Sequence, residues 1–161
     1  MANEEHLREY ASPPCYQHEF DDSPGKLPPD VAAILNELLQ GERAGAMAII
    51  TMNAVADGQL GSLLKTVAED EARFCAMLHR HLTRLGHVPS RGIGVFYEKL
   101  VKRPTLDEKL RLLDRGQSAV VRMLDGVLSS IEDAALREDL EEMRTVHVRN
   151  IEACAKYVTT G

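Results

Sequence analysis

Apolar residues recur along this chain at the spacing of one helix face in four long stretches. The first carries Val31, Ile34, Leu35, Leu38, Ala46, Ile49 and Met52. It is expected to start with Pro29 or Asp30 at its cap and to end near Ala56, because Asp57-Gly58-Gln59 is a turn signal. The second runs from about Leu60 to Leu85 on Leu64, Val67, Phe74, Leu78, Leu82 and Leu85, with Gly86 as its stop. The third opens on the capping box Thr105-Leu106-Asp107-Glu108 and continues on Leu110, Leu113, Val120, Val121, Leu124 and Leu128. After a break over 129–133, the fourth continues to about Val158 on Leu136, Leu140, Met143, Ile151 and Val158.

The links between these helices are short, long and short. Residues 87–104 form the long one, with a short helix expected over Val95–Lys102. Short links force antiparallel neighbours, whereas a long one allows a crossover. The fold expected is therefore all-α, a four-helix bundle with one long crossover between helices 2 and 3. A weak internal repeat supports it: when the two hairpins are aligned, Gln117 stands over Glu42 and His147 over Phe74. Residues 1–29, broken by Pro13-Pro14, Ser23-Pro24-Gly25 and Pro28-Pro29, read as an irregular arm or tail, and residues 30–161 as the bundle.

Each apolar stripe is interrupted once near its middle, by Glu42, Glu71, Gln117 and His147 in turn. Glu42 lies four after Leu38, Glu71 four after Val67, Gln117 four after Leu113 and His147 four after Met143. In a bundle, all four face inward at similar depth. A buried carboxylate needs a proton, hydrogen bonds or a cation, so the layer is the candidate site.

Composition narrows the function classes. Aromatics make up only 4% of the 161 residues and there is no Trp, which suits helices better than sheets. A net charge of −6 argues against nucleic acid or an anionic membrane surface as a partner. No apolar run is long enough to span a bilayer, and MANEEHLREY has no secretory h-region. Cys15, Cys75 and Cys154 are odd in number and form no CxxC, so a cytoplasmic setting with reduced thiols is expected. Cys75, one turn from Glu71, reads as a small apolar core residue rather than a redox thiol. His79, His81 and His87 read as a solvated helix end. No residue pattern assigns a catalytic nucleophile.

Gly41-Glu42-Arg43-Ala44, Asp70-Glu71-Ala72-Arg73 with Leu78 after it, and Arg144-x-x-His147 resemble the ferritin-like superfamily, which includes rubrerythrins and bacterioferritins, over roughly residues 31–158. With Pro89-Ser90, Gly94-x-Phe96-Tyr97-Glu98-Lys99 and Arg115-Gly116-Gln117, the set is most similar to an uncharacterised branch of small ferritin-like proteins. In di-iron members, two helices each give one Glu and two give a Glu-x-x-His motif. The resemblance implies that Glu42 and Glu71 keep carboxylate positions and His147 an imidazole position. Gln117 stands where a Glu is expected, Phe74 where a His is expected and Arg144 where a second motif's Glu is expected.

The implied centre is degenerate. Two carboxylates, an amide and an imidazole are too few for two irons. One expectation is a non-catalytic protein in which Arg144 bridges Glu42 and Glu71 in place of metal, with Phe74 filling an emptied ligand position. The alternative is a redox or oxygen-handling protein whose Glu42, Glu71 and His147 hold a single Fe, Mn or Zn. By the same resemblance, a homodimer along the long helices is expected.

Overall fold

A computed structural model of the chain describes residues 27–159. The expected arm at residues 1–29 lies outside the described residues except for its last three. Five helices follow in order: α1 (Pro29–Asn53), α2 (Gly58–Arg84), α3 (Phe96–Val101), α4 (Leu106–Val127) and α5 (Ala134–Ala155), with a 3-10 turn at Leu128–Ser130 between the last two. α1 packs along α2 and α4 along α5, while α1 also lies beside α4 and α2 beside α5. The short α3 packs on α1 and α4. The long connection therefore carries the chain across the bundle, so that α4 lies beside α1.

The helix limits follow local chemistry. Pro29 opens α1, where a missing N–H costs nothing. Leu27, before it, is buried. α2 ends on a left-handed Gly86 (φ 85°), with Gly86 N–H donating to Thr83 O at 3.1 Å and His87 N–H to Leu82 O at 2.9 Å. This is the paired-bond stop that glycine favours. Thr105 caps α4 as its sequence motif predicts, its side chain accepting from Glu108 N–H. α1 and α5 each stop three residues before their expected ends.

Asp133 caps α5, its Oδ1 accepting from Leu136 N–H at 2.9 Å, and both of its carboxylate oxygens take Arg84 of α2, at 2.6 and 3.0 Å. The Arg84 hydrogen bonds hold the Asp133 carboxyl below its ordinary 3.8, at about 2. A depressed acid contributes stability above its unfolded value and loses it as pH falls through the folded one. The Asp133→Ala variant should lose about 1–2 kcal/mol at neutral pH. The difference from wild type should shrink between about pH 4 and pH 2. Urea midpoints across that range check it.

The core falls into two apolar clusters. One gathers Leu35, Leu38, Phe74, Leu78, Leu82, Leu124, Leu140 and Met143, among others. The other gathers Ala48, Ile49, Met52, Leu64, Val67, Leu110, Leu113 and Cys154. α5 buries Asn150 as well as His147 between the two clusters in sequence, and the polar residues that interrupt the four stripes there are Glu42, Glu71, Gln117 and His147.

Candidate functional site

All four of those residues are buried, at 1% exposure for Glu42, 3% for Glu71, 4% for Gln117 and 1% for His147. They form two pairs. Gln117 Nε2 donates to Glu71 Oε1 at 3.0 Å, joining α4 to α2. His147 Nε2 lies 3.1 Å from Glu42 Oε1, joining α5 to α1. The other ring nitrogen, Nδ1, lies 2.9 Å from Met143 O one turn back. A carbonyl only accepts, so Nδ1 carries a proton. Burial opposes a charge on His147, but the Glu42 carboxylate, its hydrogen bond and the Met143 carbonyl together raise the imidazole above its ordinary 6.5. Burial, and then the Glu42 charge, push Glu71 well above the usual carboxylate range, against the Gln117 hydrogen bond. Glu42 Oε2 is buried with no hydrogen-bond partner.

Gly45 makes room for the layer. A Cβ built there would stand 1.7 Å from Glu71 Oε2, so α1 and the carboxylate of α2 meet only because this position has no side chain. The Gly45→Ala variant is expected to lose about 1–3 kcal/mol from overpacking. The helix-propensity gain of about 1 kcal/mol offsets only part of that cost, since the carboxylate it meets is buried and held by Gln117. A denaturant midpoint near that of wild type would contradict the placement of Glu71.

Arg144 does not bridge the two carboxylates. Its guanidinium is on the surface and pairs with Asp125 of α4, the two side chains 41% and 51% exposed. A guanidinium is far cheaper to leave in water than to bury, and a surface carboxylate lies within its reach. Phe74 is 1% exposed with its ring centroid 5.6 Å from that of His147, so it packs as an apolar wall beside the layer. Cys75 is half-buried, its thiol pushed up to about 12 by burial and then by Glu42, which makes it a poor nucleophile.

A cavity of about 630 Å³ opens between α1, α4 and the crossover and reaches Glu42, Glu71, Gln117 and His147. Its walls include Leu38, Leu113, Val120, Met123 and, from the crossover and α3, Ile93 and Phe96. Glu37, Lys99 and Arg115 line it from exposed positions. Gly116 lets Phe96 close against α4, since a Cβ there would stand 2.6 Å from the Phe96 ring. The crossover is tied to α1 by three side chains on one helix face. Asn36 Oδ1 accepts from Ser90 N–H at 2.7 Å, Gln40 Nε2 donates to Ser90 Oγ at 2.7 Å, and Arg43 donates to the Ser90 and Gly92 carbonyls. These tethers had no place in the sequence reading, although their spacing of four and three is visible in the sequence.

With that geometry in view, comparison with known proteins adds two findings. Residues 29–156 match the model of a family described as a domain of unknown function (DUF6306). The chain belongs to the DUF6306 family. Its fold is similar to that of a structure titled as ferritin like, diiron-carboxylate proteins from Bacillus anthracis str. Ames. The TM-score is 0.72 and the identity 16%, over 81% of this chain and 96% of that one. The likeness establishes a ferritin-like helical bundle for this DUF6306 member. No curated protein matches the sequence.

Among the described residues, no helix is long and apolar enough to cross a membrane, and no group of three or more His, Cys, Asp or Glu side chains is arranged to hold a metal ion. His81, expected in a solvated helix end, is buried instead. Its Nδ1 lies 2.8 Å from Arg84 Nη2 and its Nε2 2.6 Å from Asp139 Oδ2. A guanidinium only donates, so Nδ1 accepts and Nε2–H donates to Asp139, joining α2 to α5. His79 and His81, two apart on a helix, point to different faces, and the partner that makes His81 a core residue, Asp139, comes from another helix.

Proposed function

We propose that the chain is a non-catalytic ferritin-like protein whose degenerate di-metal centre persists as a self-paired polar layer at the floor of a ligand cavity. The observation that carries this reading is the pairing of Glu42 with His147 and of Glu71 with Gln117. Each carboxylate has one hydrogen-bond partner within the chain where a cation would otherwise sit, and Glu42 Oε2 is left without one. The donor set does not fit two irons: an amide, a phenyl ring and a surface guanidinium stand at three of the six expected ligand positions. Metal analysis of tag-free protein grown with added Fe, Mn and Zn tests it. The expected result is far less than one metal per chain. One tightly bound metal per chain, lost in Glu42→Ala, would overturn the reading.

One observation favours a second reading. The Nδ1–H of His147 on a backbone carbonyl is also how proteins orient an imidazole for ligation through Nε2. In that case Glu42, Glu71 and His147 would hold a single Fe, Mn or Zn, which would supply Lewis-acid or redox chemistry. The chain's own contribution would be to orient the ring and to exclude water with Phe74. Homodimerisation belongs to the same proposal. Exposed Met47 and Ile50 on the outer side of α1 support it, and sedimentation equilibrium tests it.

A further inference from the structure

We propose that the cavity binds a small ligand with an apolar body and a single ammonium head, which donates a hydrogen bond to Oε2 of Glu42. The inference rests on reading the polar layer as self-paired. It starts from an imbalance within that layer. Gln117 is committed to Glu71, and both nitrogens of His147 are committed, one to Met143 and one to Glu42. Glu42 Oε2 is left buried and unpartnered, and Glu42 lines the cavity. What Glu42 Oε2 lacks is therefore a donor.

A carboxylate oxygen makes its strongest hydrogen bond to a charged donor, which selects ammonium over hydroxyl. The volume of about 630 Å³ lies in the range of small-molecule sites. Leu38, Leu113, Val120, Met123 and Phe96 offer the apolar surface that would take a hydrocarbon or aromatic body. The charges of opposite sign at the exposed positions, Glu37 against Lys99 and Arg115, are in contact with water and screened, so the buried end sets the preference for the head group. An anionic head is opposed at the floor by the unpaired carboxylate oxygen itself.

Three probes of one shape test this by isothermal titration calorimetry on the full chain: 4-phenylbutylamine, 4-phenylbutan-1-ol and 4-phenylbutanoate. The amine should bind one per chain, the alcohol about tenfold or more weaker, and the acid not at all. The Glu42→Gln variant should weaken the amine about tenfold while leaving the alcohol within about twofold. Ala119→Trp, which fills the cavity from α4 and leaves Glu42 in place, should abolish amine binding and carries the test if Glu42→Gln fails to fold. Equal affinity for the three probes, no amine binding, or unchanged amine binding in either variant would overturn the proposal. Metal analysis of the same preparation separates the two levels. A stoichiometric metal removes the self-paired layer, whereas metal-free protein that ignores the amine removes only the ligand.

Discussion

Replacing His147 by Ala is expected to cost about 3–5 kcal/mol, because it strands a buried carboxylate. Glu42 is 1% exposed, one of its oxygens already has no partner, and the other depends on His147 Nε2. Removing the imidazole leaves the carboxylate with no hydrogen bond from the chain. A rescue is expected as well. A double replacement, Glu42→Leu with His147→Leu, removes both charges together and should recover most of the loss, since an apolar pair of similar volume often matches a buried ion pair. Guanidinium unfolding of the two variants beside wild type measures this, and a His147→Ala loss under about 1 kcal/mol would show that Glu42 has another partner.

The pH dependence has a definite sign. His147 has a folded value raised above 6.5, so its contribution is fully present below that pH and fades as pH rises through the folded value. Glu71 is an acid raised above 4.5, so the folded chain holds its proton more tightly than the unfolded chain. Its influence also makes stability fall as pH rises from 4.5 toward that folded value. Both act in the same direction, and His147→Ala should flatten the slope above pH 6.

Phe74→Ala is expected to cost about 3–5 kcal/mol, for a different reason. Its ring is 1% exposed within the larger apolar cluster and stands against His147. Truncation removes the transfer energy of the ring and leaves a cavity that long helices, fixed by their other contacts, cannot close. The void would also adjoin a polar layer, so water entering it would compete for the Glu42–His147 bond. The unfolding midpoint should fall with little change in slope, and a loss under about 1 kcal/mol would mean that the site collapses around the missing ring.

Side-chain period made the bundle legible. Leu35 and Leu38, Leu78 and Leu82, Leu110 and Leu113, and Leu136 and Leu140 repeat at helical spacing, and the same register that placed them inward placed Glu42, Glu71, Gln117 and His147 inward too. The short links made α1 and α2, and α4 and α5, neighbours, while the long link only allowed a crossover; the packing of α1 beside α4 came from the structure. Arg144 was not legible because its position is only three residues from His147, near the edge of the buried stripe. From such an edge a long side chain can turn either way, and Asp125, on another helix, decided the direction. The Asn36, Gln40 and Arg43 tethers were hidden for a related reason: two of the partners are backbone carbonyls, which every residue has. The free oxygen of Glu42 is likewise a matter of where His147 Nε2 points, and no spacing in the sequence encodes it.

Anomalous diffraction from crystals grown with excess Fe(II), Mn(II) and Zn(II) tests the self-paired layer most directly. The account predicts no anomalous peak among Glu42, Glu71 and His147, with Nε2 of His147 still in hydrogen-bond contact with Glu42. A peak at roughly 2.0–2.2 Å from Nε2 and from both carboxylates would contradict it.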